Sequence, residues 1–239
     1  MGKTWFYGFE PEGKSKLLKA SNLPKRKIEF YGNSITCGYA VEDLVSDRSF
    51  GYYENNYNSY ASITARYFNA QYSCISKSGI GIMLSWFPLI MPEIYDRLDP
   101  TDSKSKWDFE KFIPDIVVIN LFQNDSWLID MPENEQFKNR FGTNRPNEDA
   151  IGQAYKKFVG CIRNKYPMAQ IICMLGNMDI TREGSPWMGY VENAVSQIND
   201  NKIVTFFVPF KKTEGHPKIV EQKELADKLI QFIQNRFKW

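Results

Sequence analysis

Strand-like runs alternate with amphipathic segments along most of the chain, and this alternation limits the folds open to it. The predicted strands are Lys27–Tyr31 and residues 71–75, 116–120, 170–175 and 203–208. The predicted helices are residues 59–68, 88–98, 147–165, 189–198 and 220–237. Strands that alternate with helices predict a central parallel sheet of about five strands with helices on both faces. We therefore expect a three-layer α/β/α fold of the flavodoxin-like type.

Length and charge exclude several classes of partner. The 239 residues are enough for one large α/β domain or two small ones, and an ordinary globular composition favours one. The net charge of +2 is made of interspersed charges of both signs, so no basic surface for nucleic acid is expected. No apolar run reaches the roughly 20 residues that span a bilayer, and the N-terminus lacks the apolar core of a signal peptide. We expect no nucleic-acid partner and no membrane span.

Cysteine and histidine usage narrows the chemistry further. The four cysteines, Cys37, Cys74, Cys161 and Cys173, contain no C-x-x-C pair, which favours buried free thiols over disulfides or metal ligands. One histidine and scattered cysteines make a zinc site improbable, so we predict no metal and no cofactor. Histidine-based proton transfer near neutral pH has a single candidate, His216.

Residues 8–15 match the phosphate-loop pattern G-x-x-x-x-G-K-S, but their surroundings argue against nucleotide binding. Glu10 and Glu12 would lie beside the phosphates, and Pro11 removes one of the backbone donors that such a loop needs. The strand 116–120 also ends in Asn rather than in a magnesium-binding Asp. We interpret residues 1–26 as turn and linker.

Polar residues follow four of the predicted strands at the edge where ligands bind to parallel α/β sheets. Ser34 follows the first strand, Gly79 the second, Asn124 the third and His216 the last. Each alone has a common structural role as a helix cap, turn or surface residue. Together they form the parts of an acyl-transfer site, with Ser34 as nucleophile, His216 as general base, and the Gly79 N–H and Asn124 carboxamide as oxyanion donors.

The motifs at these positions resemble the sequence blocks of the SGNH (GDSL) hydrolases. Gly32–Thr36 resembles the Gly-Asp-Ser-Leu block, residues 78–79 the second block, residues 122–125 the Gly-x-Asn-Asp block, and His216 the terminal block. The longer runs 25–39, 117–121 and 215–217 resemble the acetylxylan esterases of the second carbohydrate-esterase family, which deacetylate plant polysaccharides.

This resemblance implies roles for individual residues and a substrate. Ser34 would be the nucleophile, His216 the base, and the Ser34 N–H, the Gly79 N–H and the Asn124 side chain the oxyanion donors. The substrate would be an acetylated polysaccharide or oligosaccharide, such as acetylxylan or acetylated glucomannan, and the location secreted or periplasmic. Two alternatives stay open: an SGNH esterase or thioesterase acting on another acyl substrate, and a non-catalytic carbohydrate-binding domain.

Three positions depart from the family pattern. Asn33 stands where the first block usually has Asp, and Phe122 where the third block usually has Gly. Thr213 stands where the family places the Asp that orients the histidine. Either Glu214 or a backbone carbonyl could orient His216, and we favour the carbonyl, giving a Ser–His dyad, because a one-residue shift in an extended loop points the side chain elsewhere.

The resemblance also bears on the chain ends and on sugar binding. Residues 6–9 resemble the last strand of the β-sandwich that precedes the catalytic domain in relatives, so residues 27–239 would be the catalytic domain. Trp127 and Trp187 fall in loops at the site edge, where aromatic faces can stack on sugar rings, and Trp86 is a weaker candidate. Packing at the rim of the site is the alternative role for all three.

Overall fold

A computed structural model describes residues 6–48 and 50–239. Five parallel strands form one sheet in the order β2-β1-β3-β4-β5. The strands are β1 (Lys27–Gly32), β2 (Gln71–Ser76), β3 (Ile116–Asn120), β4 (Gln170–Leu175) and β5 (Ile203–Phe207). Gly32 pairs with both Ser76 and Asn120, so the first three strands end side by side. The segments that follow these strands therefore leave the same edge of the sheet.

Helices cover both faces of the sheet, which confirms the three-layer prediction. They are α1 (Ser34–Cys37), α2 (Tyr60–Tyr67), α3 (Met91–Ile94), α4 (Gln123–Leu128), α5 (Glu135–Phe141), α6 (Glu148–Lys165), α7 (Trp187–Ser196) and α8 (Ile219–Phe237). Side chains alternate across each strand. Phe30 and Val118 accordingly pack against α2 and α8, while Tyr31 and Ile119 pack against α6 and α7.

The helix predicted over residues 88–98 is much shorter than expected. Only Met91–Ile94 is helical. Pro92 has no N–H and fits only the first turn of a helix, so the helix cannot begin much earlier. The loop before α3 is held differently, because the N–H groups of residues 82–84 donate to the Asp125 carboxylate.

The N-terminal stretch contributes no regular element within the described residues. Residues 6–26 contain neither helix nor strand, and residues 1–5 lie outside the described residues. The segment 8–15 is exposed, with no strand before it and no helix after it among the residues described, which does not fit a phosphate-binding loop.

The structure also bears on the predictions made for the cysteines and for membrane-spanning segments. All four cysteines are free thiols; Cys173 is fully buried and the other three are half-buried. Among the described residues, no helix is both long and apolar enough to cross a membrane.

Candidate active site

Ser34 lies at the first position of α1, on a tight turn directly after β1. The Asn33 side chain caps α1 by accepting a hydrogen bond from the Ile35 N–H at 3.0 Å. A Cβ on Gly32 would lie 1.9 Å from the Thr36 hydroxyl, so the turn requires glycine there. Asn33 therefore performs the capping that Asp would, because both carry a side-chain oxygen.

A hydrogen-bonded chain runs from Ser34 through His216 to Asp47. The Ser34 hydroxyl lies 2.9 Å from His216 Nε2, and His216 Nδ1 lies 2.6 Å from Asp47 Oδ2. A carboxylate only accepts hydrogen bonds, so Nδ1 carries the proton of the neutral ring and Nε2 is free to accept from the Ser34 hydroxyl. Ser34 is 6% exposed, which keeps this hydroxyl at the bottom of the site rather than on an open surface.

Asp47 is held in place by cationic and backbone donors. The His216 backbone N–H donates to Asp47 Oδ2 at 2.8 Å, and Lys218 Nζ donates to Oδ1 at 2.6 Å. Partial burial alone would raise the pKa of Asp47, but the hydrogen bonds from His216 and Lys218 outweigh it and hold the pKa well below its usual range. A Cβ on Gly215 would approach the carboxylate to 3.0 Å, and Gly215 has φ +72°, so this position also favours glycine.

Both alternatives considered for orienting His216 are wrong. The Glu214 side chain is 95% exposed and lies 4.0 Å from Arg182, away from the imidazole. The Nδ1 proton goes to the Asp47 carboxylate and not to a backbone carbonyl. The signal that could have identified Asp47 is the long, acidic connection between α1 and α2, which leaves the same sheet edge as Ser34.

The segment that carries Asp47 is itself organised by a buried carboxylate. We call residues 40–48 the acid loop. Asp43 accepts from the backbone N–H groups of Val45, Ser46 and Arg48 and from two guanidinium nitrogens of Arg48. The Arg48 hydrogen bonds hold the pKa of Asp43 well below its usual range. Asp43 thus sets the backbone path that brings Asp47 to His216.

The three predicted oxyanion donors lie in segments that follow adjacent strands β2, β1 and β3. Neither the Ser34 N–H nor the Gly79 N–H has an acceptor within the described part of the chain. Asn124 Nδ2 donates to the Ile80 carbonyl at 2.8 Å, and its second hydrogen is available. Trp86 Nε1 donates to Asn124 Oδ1 at 3.1 Å, which fixes the amide with its nitrogen on the opposite side. Sequence reasoning missed this contact of Trp86, which is 47% exposed.

The two tryptophans predicted to stack on sugar have different surroundings. Trp127 is half-buried beside His216, and its indole N–H donates to Asp179 at 2.7 Å. The prediction for Trp187 is wrong, because Trp187 is 7% exposed and packs in the core against Phe122 and Tyr190.

Phe122 explains why Trp187 is buried. Its φ is +81°, in the left-handed region that favours the glycine usual at this position, and for a bulky residue it costs about 1–3 kcal/mol. The Phe122 ring is fully buried between Tyr155 and Trp187, at centroid distances of 4.9 and 5.1 Å. This packing offsets the backbone strain and uses the Trp187 ring for the core.

The site has no arrangement of residues suited to a metal ion. Within residues 6–48 and 50–239, no group of three or more His, Cys, Asp or Glu side chains could hold one. The side chains of Ser34, His216 and Asp47 offer a hydroxyl nucleophile, a general base and a carboxylate that orients the base.

Comparison with solved structures places this geometry in a family. The chain is 34% identical to a family two carbohydrate esterase from Clostridium thermocellum, solved in complex with cellohexaose. The TM-score is 0.78, and the match covers 95% of this chain and 69% of that one. The chain belongs to carbohydrate esterase family two.

Curated relatives agree with this membership in the second carbohydrate-esterase family. The family two chain is 35% identical over 257 residues to the cellulase/esterase CelE of Acetivibrio thermocellus, a match that covers all of this chain and 29% of CelE. It is 23% identical over 235 residues to an acetylxylan esterase/glucomannan deacetylase of Cellvibrio japonicus, covering 94% of this chain and 61% of the relative. It therefore spans less than two thirds of these relatives' length. No family model matches the sequence.

Proposed function

We propose that this chain is a serine esterase that removes acetyl groups from plant polysaccharide, acetylxylan or acetylated glucomannan, through an acetyl-serine intermediate. The observation that carries the proposal is the hydrogen-bonded chain Ser34–His216–Asp47, with Ser34 Oγ 2.9 Å from His216 Nε2. The named activities of the relatives, cellulase/esterase and acetylxylan esterase/glucomannan deacetylase, support the same reaction and substrate class.

In the proposed mechanism, Ser34 Oγ attacks the acetyl carbonyl carbon while His216 Nε2 takes the hydroxyl proton. The carbonyl oxygen becomes an oxyanion that accepts hydrogen bonds from the Ser34 N–H, the Gly79 N–H and Asn124 Nδ2. His216 then returns the proton to the sugar oxygen as its bond to the acetyl carbon breaks. A water, deprotonated by His216, hydrolyses the acetyl-serine and regenerates Ser34. Asp47 stays ionised and stabilises the imidazolium at each proton transfer.

A serine-reactive phosphonate and acetate release together test this function. We expect a single phosphonate adduct, on Ser34, and none on Ser34→Ala. We also expect acetate release from acetylated xylan and acetylated glucomannan, measured side by side, and a preference for acetyl over octanoyl esters. An unlabelled wild-type protein would refute the proposal that the chain is a serine esterase. Labelling without acetate release from either polymer would refute the proposed substrate class.

The two alternatives predict different outcomes of the same experiments. An esterase or thioesterase for another acyl substrate would label at Ser34 but prefer the longer ester. A non-catalytic carbohydrate-binding domain would bind an oligosaccharide without labelling. The Clostridium thermocellum relative was solved in complex with cellohexaose. Binding of cellohexaose to this chain should therefore be measured in parallel by calorimetry.

The proposal extends to domain organisation and location. Residues 27–239 would be the catalytic domain, and residues 1–26 the segment that joins it to an N-terminal β-sandwich. The Clostridium thermocellum relative is longer than the matched region, because the match covers 69% of it. An intact plant polysaccharide does not cross a bilayer, so an enzyme that acts on that polymer would work outside the cytoplasm, and we propose a secreted or periplasmic location.

A further inference from the structure

A pocket of about 250 Å³ lies beside His216 at the carboxyl edge of the sheet. Its walls include Trp127, Met178, Asp179, Arg182 and Phe210, from segments that follow β3, β4 and β5. Gly79 follows β2, the strand at the opposite end of the sheet. The pocket therefore lies on the histidine side of the site. It is smaller than the roughly 300–1,000 Å³ of pockets for drug-sized ligands, which suits a single small ring.

The proton that His216 donates in the proposed reaction indicates that the leaving sugar lies in this pocket. In the proposed reaction His216 Nε2 donates to the sugar oxygen, so that oxygen lies within hydrogen-bond distance of the ring. The acetyl carbonyl is meanwhile held by Ser34 and by the donors that follow β1, β2 and β3. The sugar unit that carries the ester must then extend from His216 into the pocket lined by Trp127 and Phe210.

The carboxylate of Asp179, on the wall of this pocket, has only neutral hydrogen-bond donors in the described part of the chain. Gln123 Nε2 donates to Asp179 Oδ1 at 2.9 Å, and Trp127 Nε1 donates to Oδ2 at 2.7 Å. Both donors are neutral, and among the described residues Asp179 has no ion-pair partner within 4 Å. A carboxylate has about four lone-pair sites, so each oxygen keeps one for a further donor. A sugar hydroxyl can donate such a hydrogen bond to the Asp179 carboxylate.

Arg182 is the cationic side chain nearest to Asp179 along the chain in this pocket, which Asp47 and Glu214 also line. Its guanidinium lies 4.4 Å from the centre of the Phe210 ring, and its backbone N–H donates to the Asp179 carbonyl at 2.9 Å. The guanidinium contacts Phe210 and lies 4.0 Å from Glu214, so it is directed away from the Asp179 carboxylate, which can accept a hydrogen bond from the pocket.

We propose that Asp179 determines which acetylated sugar units are substrates, by accepting a hydrogen bond from a free hydroxyl next to the acetylated one. A unit whose neighbouring hydroxyl is also acetylated offers no donor there and leaves Asp179 unsatisfied. Monoacetylated units are therefore deacetylated faster than diacetylated ones. This inference rests on the proposed function, because it takes the leaving group to be a sugar.

The test compares 3-O-acetyl with 2,3-di-O-acetyl methyl β-xyloside, with phenyl acetate as an ester that has no hydroxyl. For the wild type we expect kcat/KM about tenfold or more higher on the monoacetyl sugar, the effect of one hydrogen bond to a charged group. In Asp179→Asn the monoacetyl preference should fall toward one, mainly through KM. The loss on the monoacetyl sugar should exceed the loss on phenyl acetate by about tenfold. Glu183→Gln, an exposed acid outside the pocket, is the matched charge control and should keep the wild-type ratios.

Each outcome separates the inference from the function on which it rests. Equal losses on the sugar and on phenyl acetate mean that Asp179 only supports the fold, and they overturn the inference, as does an unchanged monoacetyl preference in Asp179→Asn. A wild type that hydrolyses phenyl acetate but neither sugar overturns the proposed function as well. If Asp179→Asn does not fold, Trp127→Phe removes one donor that orients the carboxylate. That variant should lower the monoacetyl preference severalfold, and an unchanged preference counts against the inference.

Discussion

Asp47 determines which nitrogen of His216 carries the proton in the resting site. Its Oδ2 accepts both the ring Nδ1–H and the backbone N–H of His216, so ring orientation and loop position depend on one carboxylate. The two residues are 169 positions apart along the chain. Orientation of the histidine therefore comes from a segment that follows the nucleophile, and not from the residues just before His216.

Asp47→Asn is expected to lower kcat by roughly 10²–10⁴, because an amide can present its N–H to Nδ1 and favour the wrong tautomer. KM should change much less, since Asp47 does not touch the substrate in the proposed mechanism. Acetate release from acetylated xylan at several substrate concentrations measures both. Glu214→Gln is the control, an exposed acid on the histidine loop, and its kcat should stay within about twofold of the wild-type value. A large loss of kcat in Glu214→Gln without one in Asp47→Asn would show that Glu214, and not Asp47, orients His216.

The acid loop is the element whose shape the catalytic geometry depends on most. Asp43 is fully buried and accepts from three backbone N–H groups and from Arg48, and Lys218 joins the loop to the start of α8 through Ala40, Ser46 and Asp47. Neither helix nor strand hydrogen bonds organise residues 40–48. Apart from the backbone hydrogen bonds of residues 40–43, side-chain hydrogen bonds hold the loop, so one substitution can displace it while the sheet stays intact.

Asp43→Ala is expected to lower kcat at least tenfold without removing any member of the triad, because a displacement of about 1 Å at a catalytic group can cost 10²-fold. The rate of phosphonate labelling at Ser34 should fall in parallel. Asp130→Ala, which breaks an exposed ion pair with Arg145 elsewhere on the surface, is the control and should leave both rates within about twofold. Wild-type labelling in Asp43→Ala would show that the loop does not need Asp43.

Over the whole molecule, ionised carboxylates connect the acid loop to the rest of the fold. The two layers on the sheet are held mainly by contacts between buried hydrophobic side chains. Asp47 links the loop to His216 and Lys218, and the pKa of its carboxyl lies well below the ordinary value in the folded state. Stability gained from a depressed pKa is present above the unfolded-state pKa of about 3.9 and is lost as pH falls toward the folded-state value.

We therefore expect the free energy of unfolding to fall on acidification below about pH 4, and the Asp47→Asn variant to fall less. Urea unfolding at pH 7, 4 and 2.5 measures this. The difference between wild type and Asp47→Asn should be largest at pH 7 and should narrow at each step. Glu183→Gln should follow the wild-type curve. A difference that stays constant with pH would mean that Asp47 stabilises the fold by contacts that do not depend on its charge.

The sequence by itself determined the sheet, its helical layers and the positions of Ser34, Gly79, Asn124 and His216. These follow from local periodicity and from one topological rule, that parallel strands end at a common edge. The structure differed wherever side chains from separate segments compete for the same partner. Pro92 lies in the first turn of α3, so this helix begins later than the predicted residue 88.

Asp47, Trp187 and Asp179 belong to the part that only the tertiary structure decided. Their roles depend on side-chain direction, which is set by long-range contacts: Asp43 with Arg48 in the acid loop, Phe122 with Trp187 in the core, and Gln123 and Trp127 with Asp179 in the pocket. Periodicity assigns a residue to an element or a loop. In a loop it does not say which way the side chain points, because no repeating hydrogen-bond pattern constrains it there.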